Sequence, residues 1–522
     1  MDVKLAVPAS ASPSWLPAAL TAALCLATVT ALIAGNGNLA LALAPGLVAL
    51  LVVAICFLPL RGTVLVLLVL AWALEAPGDA FGAGLFPTPW NIVGRLLWGK
   101  LNGVIPIGAL VVSGFDLLAL LLFAVIAYRH ARRSTLDTVG WVDAPPPLAS
   151  FAWISVGAVL LMSAHGLVTG GSFRFILWQS TRWVYIPIVY LLMKQGLRGP
   201  RDGLEVGKLL LGVGLFRAGE AIVFRLIYPS TDVLPHATTH ADSVLFATCV
   251  AILGALLLEM PRKRIVAMVA VLLPIFVWAI KANNRRLVWA ELGVVALVFW
   301  IVSPWTPLKR KLARLAVKMA LPLVLYGVVG WGSESVVFAP VRKVRSMTDS
   351  QVNTSTLWRD WENYDLVYTY GQAPLLGLGF GHPFIEKVKL PDVTAHYELE
   401  PYVPHNSVLG LWAFGGLVGF GLIWAVFPVG MFFAVRAYRV CRTPRDRVAA
   451  LGAMAAQVCY VMQGYGDLGF GAWGPLFTLC ASYAVVGKIC LANGGWGPIP
   501  ASVPVSGESP PPHGTVPLRS AG

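Results

Sequence analysis

Apolar residues come in long runs along this chain, separated by short polar stretches, from residue 15 to residue 489. A helix crosses a bilayer in about 20 mostly apolar residues, and fourteen runs reach or approach that length. They lie at 15–34, 40–60, 62–79, 106–128, 150–169, 174–193, 205–226, 241–259, 265–282, 286–303, 315–332, 406–433, 448–465 and 468–489. The third is interrupted by Glu75 and Pro77, and the sixth contains Arg182. The pattern predicts an all-α, polytopic membrane protein with about fourteen transmembrane helices. Losing a pair of helices would preserve the charge pattern described below, so twelve fits as well.

Two stretches stand outside these runs. Residues 334–404 form one long loop in which Trp358, Trp361, Tyr364, Tyr368 and Tyr370 recur at helix-like spacings, which predicts amphipathic helices. Residues 491–522 are rich in Pro, Gly and Ser, the composition of a disordered tail. The chain therefore divides into residues 1–333 with eleven helices, the loop 334–404, residues 405–490 with three more helices, and the tail. No internal repeat is visible.

Composition sharpens the class. The 522 residues are 57% hydrophobic and 12% charged, with a mean hydropathy of +0.74. A soluble domain carries about twice that charged fraction. The net charge of +14 is topology information and not a nucleic-acid footprint. With the N-terminus placed in the cytoplasm, 24 of the 39 Lys and Arg residues fall in segments on that side. Clusters such as Arg262–Lys263–Arg264 and Lys309–Arg310–Lys311 obey the positive-inside rule. That orientation puts the 334–404 loop outside. The first run is long enough to span, which favours a retained helix over a cleaved signal. All seven cysteines except Cys441 fall within apolar runs and none shows metal-ligand spacing, so neither a disulfide framework nor a metal or cofactor is expected.

The remaining 15 basic residues break the inside rule and carry more information. "KANNRRLVWAEL", residues 281–292, places Arg285 and Arg286 in a tight turn at the outer end of two helices. Guanidinium groups grip phosphate through paired hydrogen bonds and stay charged at any relevant pH. The competing reading is that they snorkel to lipid headgroups. Arg217 lies inside the run "GVGLFRAGEAIVF", with Glu220 at i+3 as a ready partner. In "PYVPHNSVLGLWAFGGLVGF", residues 401–420, His405 is placed to exchange a proton, while Asn406 or Ser407 is equally suited to cap the following helix. "PLLGLGFG", residues 374–381, lacks the Lys-Ser/Thr of a phosphate-binding loop. Gly377, Gly379 and Gly381 therefore read as backbone hinges allowing positive φ or a close approach. His236 and His240 have an i,i+4 spacing, but Pro235 precedes them and a third zinc ligand is missing.

Taken in order, "NNRR", the loop "LWRDWENYDLVYTYGQAPLLGLGFG" and "PHNSVLGLWAFGGLVG" resemble the O-antigen ligase and polymerase superfamily of bacterial envelope glycosyltransferases. The likeness covers roughly residues 280–425; upstream, only hydropathy and an arginine near the outer face agree. Two departures are Asn284 where serine is commoner and the doubled arginine. The resemblance implies a GT-C-like helical fold in the inner membrane with an active site facing the periplasm. The donor would be an undecaprenyl-pyrophosphate-linked oligosaccharide. It further implies catalytic roles for His405, Arg285, Arg286 and Arg217, with Arg359, Asn406, Trp358 and Trp361 at the substrate and Gly377, Gly379 and Gly381 shaping the loop; the aromatic residues of the loop are suited equally to stacking on sugar rings and to packing within the loop itself. No metal or other cofactor is implied, and a chain-length regulator is a candidate partner. The long loop and the helix number favour a repeat-unit polymerase over a ligase that transfers glycan to lipid A-core. A polysaccharide flippase, for which repeats and broken mid-membrane helices are expected, is the rival outside enzymes.

Overall fold

The computed structural model describes residues 15–34, 52–74, 90–101, 112–132, 141–230, 236–348, 354–391, 401–466 and 469–497, with isolated positions between them. The expected second helix at 40–60 is described from residue 52 onward and at isolated positions before it, and the tail beyond residue 497 lies outside the described residues. Among the described residues the fold is all-α, with no strand beyond an isolated bridge between Lys100 and Ser113. Its helices are α1 (Trp15–Ala34), α2 (Leu60–Ala73), α3 (Trp90–Trp98), α4 (Gly114–Ala131), α5 (Pro146–Val168), α6 (Phe173–Gly196), α7 (Asp202–Ile227) and α8 (His240–Glu259). They continue with α9 (Lys263–Asn283), α10 (Leu287–Val302), α11 (Pro307–Gly330), α12 (Ala339–Thr348), α13 (Thr354–Gln372), α14 (Ser407–Trp424), α15 (Val426–Val440), α16 (Pro444–Gly466) and α17 (Trp473–Ala492).

Among the described residues, seven stretches are long and apolar enough to cross a membrane: α4, α5, α8, α9, most of α11, the apolar stretch Ser407–Val440, and α17. This is a membrane protein. The third expected span shortens to α2, which stops before Glu75 and Pro77, the residues that interrupt its apolar run. Local chemistry sets several ends. Ser113 and Asp116 form a capping box at α4, and Thr239 and Asp242 form another at α8. Asn284 closes α9 in the left-handed region at φ 53°, a conformation that asparagine tolerates better than most residues.

α16 and α17 pack on α8, and together they form the centre of the bundle, where α17 is almost wholly buried. By contrast, α11 has no buried residue between positions 310 and 329, so in a membrane that surface faces acyl chains. One end of the bundle is tied by Lys194–Asp143 at 2.9 Å and Arg61–Asp202 at 2.6 Å. Arg129, also at that end, donates to the carbonyls of Ile55, Cys56 and Leu58. The other end carries α12, α13 and the glycine-rich segment.

That segment does more than turn. The expected single span at 406–433 is interrupted at Gly416, where φ is 57° and ψ is −162°. Ala413, Phe414, Leu417 and Val418 flank the break, and each uses a backbone group to bond the 374–379 segment. Leu378 N–H donates to Ala413 O (3.2 Å) and Gly379 N–H to Phe414 O (2.9 Å). In return, Leu417 N–H donates to Pro374 O (2.8 Å) and Val418 N–H to Leu375 O (3.0 Å). The same segment lies against the α5–α6 hairpin. Phe380 N–H donates to Met162 O, Ser172 N–H to Gly381 O, and Gly381 N–H to Gln179 Oε1.

Glycine permits this approach at both crossings. A Cβ on Gly379, which sits at φ 83°, would lie 2.5 Å from Gly166 Cα, and one on Gly377, at φ 66°, would lie 2.4 Å from Phe414 O. Gly379→Ala is therefore expected to destabilise the protein by about 1–3 kcal/mol through backbone strain and overpacking. Gly371→Ala, in α13 where a Cβ meets nothing within 4 Å, is expected to be neutral or to stabilise by up to about 1 kcal/mol. Thermal unfolding of the detergent-solubilised variants separates them, and equal midpoints would count against the interlock.

Candidate functional site

The ends of α7 and α9 and the start of α8 meet in a polar network built from residues far apart in sequence. Arg217 on α7 is buried and makes a two-point pair with Asp242 on α8, Nε to Oδ1 at 2.8 Å and Nη2 to Oδ2 at 2.7 Å. Its Nη1 donates to Glu220 Oε2 at 2.7 Å, the i+3 partner visible in the sequence. Asp242 also receives the Thr239 N–H and hydroxyl at the start of α8. Asn283 extends the network: its Oδ1 accepts from Thr238 N–H, and its Nδ2 donates to Thr239 O and Ser243 Oγ. Arg225 stitches α7 to the end of α9 by donating twice to Ala282 O.

Above this network the two adjacent arginines diverge. Arg285 Nη1 donates to His240 Nε2, so Arg285 turns toward α8. Arg286, half-buried at the start of α10, instead comes within electrostatic reach of Arg359 in the first turns of α13. Two guanidinium groups are thus brought together from the α9–α10 turn and the long loop. His236 lies beside Arg285, its Nδ1 3.3 Å from Asn283 O. Burial first, then the charge of Arg285, lowers its imidazole to about 4.

One turn beyond Arg359 on α13 comes Glu362, which is fully buried. Its Oε1 accepts the His405 backbone N–H at 3.0 Å and lies 3.2 Å from His405 Nδ1. The His405 ring is partly exposed and packs edge-on to Trp358, with centroids 6.1 Å apart. Asn406 caps α14 by accepting from Leu409 N–H at 3.0 Å, and its Nδ2 donates to Asn363 Oδ1 at 2.9 Å. Farther along α13, Asp365 Oδ1 accepts from the N–H groups of Lys387 and Val388, both at 2.9 Å, and Thr369 Oγ1 accepts from Ile385 N–H at 2.8 Å. The buried face of α13 therefore folds the rest of the loop around itself.

Arg286, Arg359, His405, Asn406 and Trp358 converge on this region. Arg285 joins it at one remove, through the turn it shares with Arg286. Arg217 belongs to the network underneath, with its guanidinium occupied by two carboxylates. Trp361 points outward. Gly377, Gly379 and Gly381 are buried against protein backbone and act as supports. Glu362 and Asp242 carry as much of the arrangement as any expected residue. The i,i+3 relation of Glu362 to Arg359 was its only sequence signal, while that of Asp242 was the capping spacing from Thr239.

Three further cations gather at the same end. Lys100 Nζ sits 3.4 Å over the Trp178 ring, with Arg174 near enough to act on it electrostatically. Arg182 lines a small cleft with Gln179, Tyr402, Val403, Pro404 and Ser407, beside His405 in the chain. Among the described residues no group of three His, Cys, Asp or Glu side chains is arranged to hold a metal ion. The chain matches no protein-family model and no curated protein.

Two outcomes check these assignments. Asp242→Asn strips Arg217 of its main partner within the protein, and breaking such a buried pair costs about 3–5 kcal/mol. The Arg217→Met/Asp242→Leu double variant is expected to lose less than Asp242→Asn alone, measured as thermal stability in detergent. The His236 imidazole is lowered in the folded protein from 6.5 to about 4. Its stabilising contribution is therefore present above pH 6.5 and lost as pH falls toward 4. His236→Gln is expected to flatten the stability profile across that window, and an unchanged slope would remove His236 from the account.

Proposed function

We propose that this chain is a GT-C-like glycosyltransferase of the bacterial inner membrane, with about fourteen spans. In this reading it polymerises undecaprenyl-pyrophosphate-linked oligosaccharide repeat units of O-antigen or exopolysaccharide at the periplasmic face. One arrangement supports the reading: Arg286 comes within electrostatic reach of Arg359, which lies one turn of α13 from Glu362, the buried glutamate that meets His405. A pyrophosphate fits the fork geometry of guanidinium groups, and two of them near one another offer it two sets of donors.

The chemistry then follows from position. An acceptor hydroxyl attacks the anomeric carbon of the donor as the bond to the pyrophosphate oxygen breaks. Arg286 and Arg359 offset the charge on the departing lipid pyrophosphate, the kind of stabilisation whose loss slows catalysis by about 10²–10³-fold per donor. His405 takes the hydroxyl proton on Nε2. Arg285 fixes the turn that presents Arg286, and Arg217 holds the helix ends beneath it. The tryptophans of α13 supply flat apolar surface to a sugar ring. Chain-length control by a partner protein would act on this same end.

The break at Gly416 is the feature that speaks for a transporter, since interrupted helices carry substrate sites in that class. Here the 374–379 backbone takes up groups on both sides of the break, and the charged networks described above sit at the ends of the bundle instead. A ligase shares the donor chemistry and is separated by product. Loss of a polymerase leaves single repeats attached, whereas loss of a ligase leaves polymer on the lipid carrier.

Arg286→Ala, Arg359→Ala and His405→Ala, expressed to wild-type level in a deletion strain, are each expected to cut polymer formation by about 10²-fold or more. Wild-type glycan chain length in all three variants would overturn the assignment.

A further inference from the structure

We propose that Glu362 is the positioning residue of His405: it sets the tautomer of the ring and supplies the counter-charge for the imidazolium that forms when His405 takes a proton. The inference rests on the glycosyltransferase reading for its catalytic part, while the tautomer assignment stands on geometry alone.

A single oxygen, Glu362 Oε1, meets both the His405 backbone N–H at 3.0 Å and ring Nδ1 at 3.2 Å. A carboxylate only accepts, so the ring must carry its proton on Nδ1, which puts the lone pair on Nε2. Because one oxygen holds both backbone and ring, the imidazole is fixed relative to the start of α14. Asn406 clamps the same turn to α13 through Asn363. Glu362 itself has no exposure, and among the described residues its Oε2 has no hydrogen-bond partner. An anion so placed is under-compensated until a positive charge appears beside it. Protonation of His405 places that charge 3.2 Å away. The carboxylate thus favours the state of His405 that exists only after the hydroxyl has lost its proton, which is stabilisation of the transition state over the ground state.

The test uses the full-length protein labelled with ¹⁵N-histidine, with His405→Asn identifying the His405 signals, and compares Glu362→Gln with Glu362→Leu. Wild-type His405 is expected to show the Nδ1–H tautomer, retained in Glu362→Gln, where the amide oxygen still accepts, and lost in Glu362→Leu. In the polymerisation assay Glu362→Gln is expected to lower kcat about tenfold with KM unchanged. A purely structural glutamate would leave that kcat at the wild-type value. Three results overturn the proposal: a proton on Nε2 in the wild type, an unaltered tautomer in Glu362→Leu, or wild-type kcat in Glu362→Gln. If Glu362→Leu does not fold, the tautomer of the wild type and the kcat of Glu362→Gln still decide. Failure of the glycosyltransferase reading is distinguishable, because His405→Ala would then leave polymer formation intact while the nitrogen signals continue to report on Glu362.

Discussion

Away from water, a backbone N–H or C=O has to find its partner inside the protein, and the exchange between residues 374–379 and 413–418 is where this chain meets that demand most directly. A helix broken at Gly416 exposes two donors and two acceptors, and the loop offers two acceptors and two donors in matching order. This contact fixes α14 against the loop, and with it His405 and Asn406 at the start of that helix. It also anchors one end of the loop whose other arm, α13, carries Arg359 and Glu362. The α5–α6 hairpin, through Gly166 and Gln179, holds the loop from behind.

The charged residues are arranged on a second level with the same logic. Arg217 is neutralised by Asp242 and Glu220, and Asp242 is in turn bound to the cap of α8. In this network each charged group is hydrogen-bonded to another. Above it lie Arg286 and Arg359, two cations within electrostatic reach of each other.

Much of this was legible in the sequence, and the limits of legibility have physical causes. Apolar run length identifies helices because span length is a property of one segment. The glycine triplet was readable as a positive-φ segment for the same reason, since φ is local. What those glycines touch was not readable, because Gly166 and Gln179 lie more than 190 residues upstream and share no pattern with them. The i+3 pairing of Arg217 with Glu220 was visible along one helix, whereas Asp242 sits on another. Glu362 was hidden within "WRDWENYDL", where three acids fall close together and two of them, Glu362 and Asp365, are buried, so only the folded arrangement shows which one meets His405. The break in α14 was masked by the strong hydropathy of its surroundings, which continues through Gly416 without a polar mark.

The broken helix also bears on how the protein is made. Residues 407–415 form about 14 Å of helix, far short of a bilayer, and an unbonded backbone group in lipid costs several kcal/mol. The segment therefore cannot come to rest in the membrane as a finished unit. It needs the 374–379 strip already lying against the α5–α6 hairpin when it leaves the insertion machinery. Synthesis proceeds from the N-terminus, so the hairpin is made first, the glycine strip about 200 residues later and α14 last. The chain delivers the receiving surface, the seal and the interrupted helix in the order in which each is needed.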